Sequence, residues 1–236
     1  MKRLVSTSLI SRWKKTFARG KNKPVREESS QQEKLKTTET TIILNKKETV
    51  SFQLSRLNNP KDFERMAFVA KVCLKYSDSQ IKTILHVEQT RTGSRLVATD
   101  GHRLHVAEIS KKIKSGNYKP VVTKDTIILG KPVTGIKFPV WAKAIPEKME
   151  KRGVINLADT GLGKDRKENE KLSLVFNSFV KQTGEPVNVR YLEDLTKRVW
   201  IIYCQNEKRR AIILKENGKP NEKNPVAVIL PIPQAA

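Results

Sequence analysis

LVATDGHRLHV, residues 96–106, is the stretch from which the fold is read. Apolar residues flank the dipeptide Asp100-Gly101, a pairing that supplies a tight turn between two strands. A β-hairpin is therefore expected, with strands at 95–99 and 103–109. Upstream, residues 82–88 form another strand-like run, and residues 49–56 (TVSFQLSR) alternate apolar and polar side chains as a half-buried strand does. Between these lies one amphipathic helix. Asn58 or Asn59 caps it, Pro60 opens it, and it runs to about Tyr76. Its wheel places Phe63, Met66, Ala67, Ala70, Cys73 and Leu74 on one side. Lys61, Arg65, Lys71 and Lys75 fall opposite, where Phe68 and Val72 interrupt the polar face.

Downstream, 120–129 contains a further strand (TIIL). Residues 136–146 (IKFPVWAKAIP) read as extended, because each proline disfavours helix in the residue before it. Residues 160–170 read as an exposed loop, 171–176 (KLSLVF) as a strand and 189–197 (VRYLEDLTK) as a short helix. The runs 198–204 and 209–215 make a hairpin across QNEK, and a polar loop then leads to a strand at 225–232. Few helices among many strands define an α+β class with mostly antiparallel sheet.

The 236 residues carry 47 Lys and Arg against 24 acids, a net charge of +23 with a pI near 10.1. Such an excess repels itself until a polyanion neutralises it, and nucleic acid is the commonest such partner, with anionic membrane or acidic protein second. Residues 1–26 hold nine of the basic residues and no acid. Leu9, Ile10, Trp13 and Phe17 share one side of a helix there. That pattern suits a membrane surface, a nucleic acid or an organelle transit peptide, and equally a solvated tail. Residues 27–41 have little to bury and read as a linker. Cys73 and Cys204 sit in apolar runs, as buried thiols of a reducing compartment do.

Signatures of catalysis are lacking. Gly161 and Gly163 do not open a phosphate-binding loop of the Gly-Lys-Ser/Thr kind. His86, His102 and His105 lack the cysteine or carboxylate company of a zinc site, and His102 and His105 point to different faces of one strand. A Ser94–His102 pairing has nothing in the sequence to favour it. No enzyme, metal or cofactor is expected.

The segment Ala98-Thr99-Asp100-Gly101-His102-Arg103-Leu104 resembles the ATDGHRL-type hairpin of the bacterial sliding clamps, the beta subunit of DNA polymerase III. Three further segments resemble that family in the same order. FPVWAKAIP (138–146) is similar to its FPDY…VLP segment, VNVRYLEDL (187–195) to its FN..YLLD.L stretch, and VAVILPI (226–232) to its closing YVVMPMR strand. The resemblance implies a shortened, divergent member with two trimmed clamp-type domains, 42–146 and 147–236, behind the tail and linker of 1–41. Nothing corresponds to the family's first domain. The intervals 104–138 and 146–188 each look short of the family by about a helix and a strand or two.

What the resemblance implies functionally is a groove for short linear motifs of polymerases, clamp loaders and repair proteins. One wall would be Thr99, Gly101, His102, Arg103 and Leu104, and the other Val228, Ile229, Leu230, Pro231 and Ile232. Pro139, Lys143 and Ala144 would lie on the linker side. Apolar strands and a proline ledge suit such a slot, with Arg103 as a polar anchor. Pro233 stands where the family usually has an arginine. Taken alone, Val228 and Leu230 also read as ordinary core positions. Lys61, Arg65, Lys71 and Lys75 are the candidate phosphate contacts, with Arg12, Lys14, Lys15 and Arg19 of the tail as a second set. The implied role is a clamp-like accessory factor of replication or repair that binds DNA without sequence preference. The alternative is a non-encircling interaction module with the same groove, whose basic tail engages membrane or RNA. A cytoplasmic, nucleoid-associated location is expected, with organelle targeting by the tail left open, and encirclement of DNA would require self-association into a homo-oligomer.

Overall fold

Gly101 adopts a positive φ of 89° at the tip of the turn, a conformation glycine reaches without strain. Around it, two side chains close the loop. Asp100 Oδ1 accepts from the backbone N–H groups of His102 and Arg103, both at 2.9 Å. Thr99 Oγ1 donates to the Arg103 carbonyl at 2.8 Å and accepts from the Gly101 N–H at 3.1 Å. The hairpin expected from Asp100-Gly101 is thus formed, joining β3 (Ser94–Thr99) to β4 (Arg103–Ile109).

The computed structural model describes residues 50–74, 81–157, 168–195, 198–205, 211–218 and 224–232. The hairpin lies within an eight-stranded sheet of order β5-β2-β3-β4-β11-β10-β9-β8, in which every pairing is antiparallel. Its other members are β2 (Leu85–Gln89), β5 (Gly116–Tyr118), β8 (Glu150–Asn156), β9 (Val199–Cys204), β10 (Ile212–Glu216) and β11 (Val226–Ile229). A second sheet holds β1 (Phe52–Ser55), β7 (Thr126–Leu129) and β6 (Pro120–Val122), in that order. All the described residues belong to one unit, Thr49–Ala236.

Helix α1 (Pro60–Leu74) begins where the Phe63 N–H reaches the Asn59 carbonyl at 2.9 Å, with Pro60 in the first turn, where no N–H is required. It packs against strands of both sheets. That position corrects the single apolar arc read from its wheel, because Phe68 and Val72 are buried at 3% and 0% exposure. Phe68 stacks on His105 at 4.2 Å and lies 5.5 Å from Trp200. A helix held between two sheets buries two sides.

Helix α2 (Glu168–Thr183) replaces the strand expected at 171–176 and the end of the loop expected at 160–170. Within KLSLVF the alternation suggests β, but the longer window settles the period. Phe179 is fully buried, Val175 and Phe176 pack against the same core, and Leu174 stays 69% exposed. Residues 160–167 of that loop lie outside the described residues. Three strands, β5, β6 and β8, have no counterpart among the expected elements, the TIIL strand being β7. The expected extension of 136–146 is interrupted by a 3₁₀ turn at Trp141–Ala144. Helix α3 (Val189–Glu193) forms inside the stretch expected to be helical, with Asn188 Oδ1 accepting from the Arg190 N–H at 3.1 Å. Cys73 and Cys204 are buried free thiols. Burial pushes the Cys73 thiol up to about 12 and also raises Cys204, which Arg152 offsets and Glu185 reinforces.

A candidate interaction site on the outer face of the sheet

Strand β11 closes the distance between two segments more than a hundred residues apart in sequence. Its register with β4 sets Val228 opposite Leu104 and Ile229 opposite Arg103. Because side chains alternate across a strand, each pair goes to a different face. Leu104 and Val228 join Val97, Val106 and Ile213 in an apolar cluster on the outer face. Arg103 and Ile229 point inward, toward the helices.

The outer cluster is covered by the linker segment. Phe138, Trp141, Ile145 and Met149 pack on it from one side, with Tyr203, Ala211 and Val226 around it. Polar contacts anchor this strap. Trp141 Nε1 donates to Glu88 Oε1 at 2.8 Å, and Arg95 lies 5.5 Å from the Trp141 ring centre while pairing with Glu108 at 2.8 Å. Phe138 stacks on His86 at 4.6 Å. Asn117 Nδ2 donates to the Ile136 carbonyl at 2.7 Å, so its Oδ1 accepts from His86 Nδ1, also at 2.7 Å. These strap residues were not among the sequence candidates. The signal was present, since β3 and β4 carry apolar residues on both faces, and such strands must be covered on both.

Arg103 does not line the outer face. Its side chain is 1% exposed and pairs through Nε with Asp100 at 3.0 Å and through Nη1 with Asp194, next to α3. Its guanidinium also lies 4.8 Å from the Tyr191 ring centre. The arginine that reads as a polar anchor from sequence is, in the fold, a buried tie between the hairpin and α3. A run of backbone bonds closes the same region, with the Leu230 N–H on the His102 carbonyl and the Ile232 N–H on the Pro186 carbonyl, both at 2.9 Å.

The remaining candidates divide by exposure. Leu104, Val228 and Ile229 are buried, whereas Leu230 and Ile232 are 44% and 47% exposed. Gly101, His102, Pro139, Lys143 and Ala144 are exposed, and Thr99 and Pro231 are half-buried. The fold therefore brings the hairpin and the last strand together directly, and leaves Leu230 and Ile232 as apolar side chains just past the end of β11.

Of the candidate phosphate contacts, Arg65 Nη1 donates to the Glu108 carbonyl at 3.0 Å and Lys71 Nζ to the Asp194 carbonyl at 3.3 Å. Lys61 is exposed. Lys75, Arg12, Lys14, Lys15 and Arg19 lie outside the described residues. His105 is buried with Nδ1 at 3.0 Å from the Phe68 carbonyl, while His102 is exposed in the turn. Among the described residues, no group of three or more His, Cys, Asp or Glu is placed to hold a metal ion.

A long antiparallel sheet backed by one central helix, with the hairpin and closing strand paired edge to edge, is the architecture of a clamp-type α+β protein. Solved structures agree. The DNA polymerase III subunit beta of Borrelia burgdorferi, in complex with a natural product, matches with a TM-score of 0.51 at 11% identity over 80% of this chain and 64% of that one. The Pseudomonas aeruginosa sliding clamp bound to griselimycin matches with a TM-score of 0.50 at 14% identity over 80% and 67% of the two chains. The Bacillus subtilis sliding clamp gives 0.50 at 12% identity over 80% and 66%. The chain has the sliding-clamp fold, in divergent form, and spans about two thirds of the length of these clamps. No family model and no curated protein matches the sequence.

Proposed function

We propose that this protein is a clamp-like accessory factor of DNA replication or repair, without catalytic activity, that presents the surface beside β4 and β11 to short linear peptides. The observation that carries this reading is the β4–β11 register, which pairs Leu104 with Val228 and leaves Leu230 and Ile232 exposed beside His102. An extended peptide with two or three apolar side chains would bury Leu230 and Ile232 beside the hairpin turn. Each large side chain desolvated in this way contributes about 1.5–3 kcal/mol, so two of them supply about 3–6 kcal/mol, and the peptide's remaining contacts supply the rest of what association requires. That one of the similar clamps is bound to griselimycin supports a ligand site on this fold. DNA is held by charge, in keeping with the net charge of +23. Ring closure by self-association is part of the same proposal and is read by sedimentation.

The test is fluorescence anisotropy with a labelled clamp-binding peptide. Leu230→Asp changes an exposed residue, so folding is preserved, and peptide affinity is expected to fall at least tenfold. Unchanged affinity in a folded Leu230→Asp variant refutes the site.

A further inference from the structure

Two loops at the end of the sheet opposite the hairpin turn are tied into one surface. The β2–β3 turn closes through the Thr90 N–H on the Gly93 carbonyl at 2.9 Å. The β4–β5 loop is pinned to it twice: the Ile113 N–H donates to Ser94 Oγ at 2.7 Å, and the Gln89 N–H to Ser115 Oγ at 2.8 Å. Gly93 allows the close approach, because a Cβ there would sit 2.0 Å from the Ile109 carbonyl oxygen. In the run Ser110-Lys-Lys-Ile-Lys-Ser115, Ile113 is drawn into the core at 4% exposure. Lys111, Lys112 and Lys114 are thereby turned to solvent, beside the exposed Arg91 of the neighbouring turn. Asp62 of α1, which meets the start of the β4–β5 loop, is 6% exposed and engaged by the N–H and hydroxyl of Ser110. Arg95 is already paired with Glu88 and Glu108, and Arg65 of α1 donates to the Glu108 carbonyl.

We infer that Arg91, Lys111, Lys112 and Lys114 form a docking surface for the phosphodiester backbone of duplex nucleic acid. The inference rests on the reading that the protein binds DNA, and supplies a contact site for it. Four cations held on two mutually fixed loops, with the local carboxylate buried beneath, fit a polyanion. Thr92 and Ser115 add hydroxyls of the kind that bind phosphate. The loops' single apolar side chain, Ile113, points inward, so they lack the exposed wedge with which a protein inserts into a lipid interface. They also carry no aromatic side chain, and thus no platform on which unpaired bases would stack. Recognition is of backbone charge alone and is independent of sequence.

The experiment is anisotropy of the full chain with a labelled random-sequence duplex over a series of KCl concentrations. The quadruple variant Arg91→Gln, Lys111→Gln, Lys112→Gln, Lys114→Gln is compared with a charge-matched control, Lys124→Gln, Lys131→Gln, Lys137→Gln, Lys181→Gln. Each lost phosphate contact flattens the log–log salt slope by about 0.9, so the loop variant should lose about 2–4 in slope and at least tenfold in affinity at low salt. The control should change affinity less than threefold. An unchanged slope in the loop variant, or equal losses in both variants, overturns the inference while leaving DNA binding intact. A wild-type chain that ignores duplex overturns the DNA reading as well. Loss of binding to phosphatidylglycerol vesicles with duplex binding unaltered would assign the surface to membrane and overturn the inference.

Discussion

Replacing Arg103 with methionine tests the buried tie between the hairpin and α3. The side chains of Arg103, Asp100 and Asp194 are 1%, 2% and 5% exposed, so none of the three charges is hydrated by bulk solvent. Removing the guanidinium leaves two carboxylates behind. Asp100 retains the N–H groups of His102 and residue 103, whereas Asp194 loses its guanidinium partner. Breaking a buried pair from one side costs about 3–5 kcal/mol, against roughly 0–1 kcal/mol for an exposed pair. Since domains of this size are stable by only about 5–15 kcal/mol, the loss is about a fifth or more of the total. The assay is urea denaturation followed by the fluorescence of the fully buried Trp200. The midpoint should fall with the slope unchanged. Asp194→Leu added to Arg103→Met should recover most of the loss, because the apolar replacement removes one of the two buried carboxylates that the guanidinium faced. A loss below about 1 kcal/mol for Arg103→Met, the range of an exposed pair, would refute the reasoning.

Two further outcomes follow from the packing. Burial holds the Cys73 thiol protonated up to about 12, while the unfolded chain ionises it near 9.0, so unfolding releases a proton between those values. This contribution to stability is complete below pH 9 and declines above it by about 1.4 kcal/mol per pH unit. Cys73→Ala should flatten the decline measured by urea denaturation between pH 9 and 10.5, and an identical pH profile in the variant would contradict the burial argument. Trp141→Phe removes the Nε1–H bond to Glu88 and weakens the stack of Arg95, loosening the strap. A half-buried hydrogen bond to a carboxylate implies a cost of about 1–2 kcal/mol by the same assay, and no change would show that the strap does not depend on it.

Local chemistry alone determined the hairpin, β1, α1, the TIIL strand and the pairing of the final strands. In each case the signal lies within a few residues. Asp100-Gly101 makes its own turn through side-chain oxygens and a positive φ, and Pro60 and Asn188 mark helix starts by backbone rules. The basic excess and the two buried thiols were equally legible. Elements whose period is ambiguous in a short window were not. KLSLVF alternates as a strand does, and only the placement of Phe179 against the β8–β9 end of the sheet makes it helical.

Tertiary structure alone decided where the described candidate residues lie. Leu104 and Arg103 are neighbours in one motif, yet strand alternation sends the first to the outer cluster and the second into a buried ion network with Asp194, ninety-one residues away. No spacing rule reveals that partner, because a long-range contact is fixed by the sum of all the packing between. The same holds for Phe68, polar-side on the wheel and buried in the fold, and for Lys111, Lys112 and Lys114, whose exposure is set by the inward turn of Ile113. A sequence specifies which groups must be buried or charged. Only the assembled sheet specifies which faces they share.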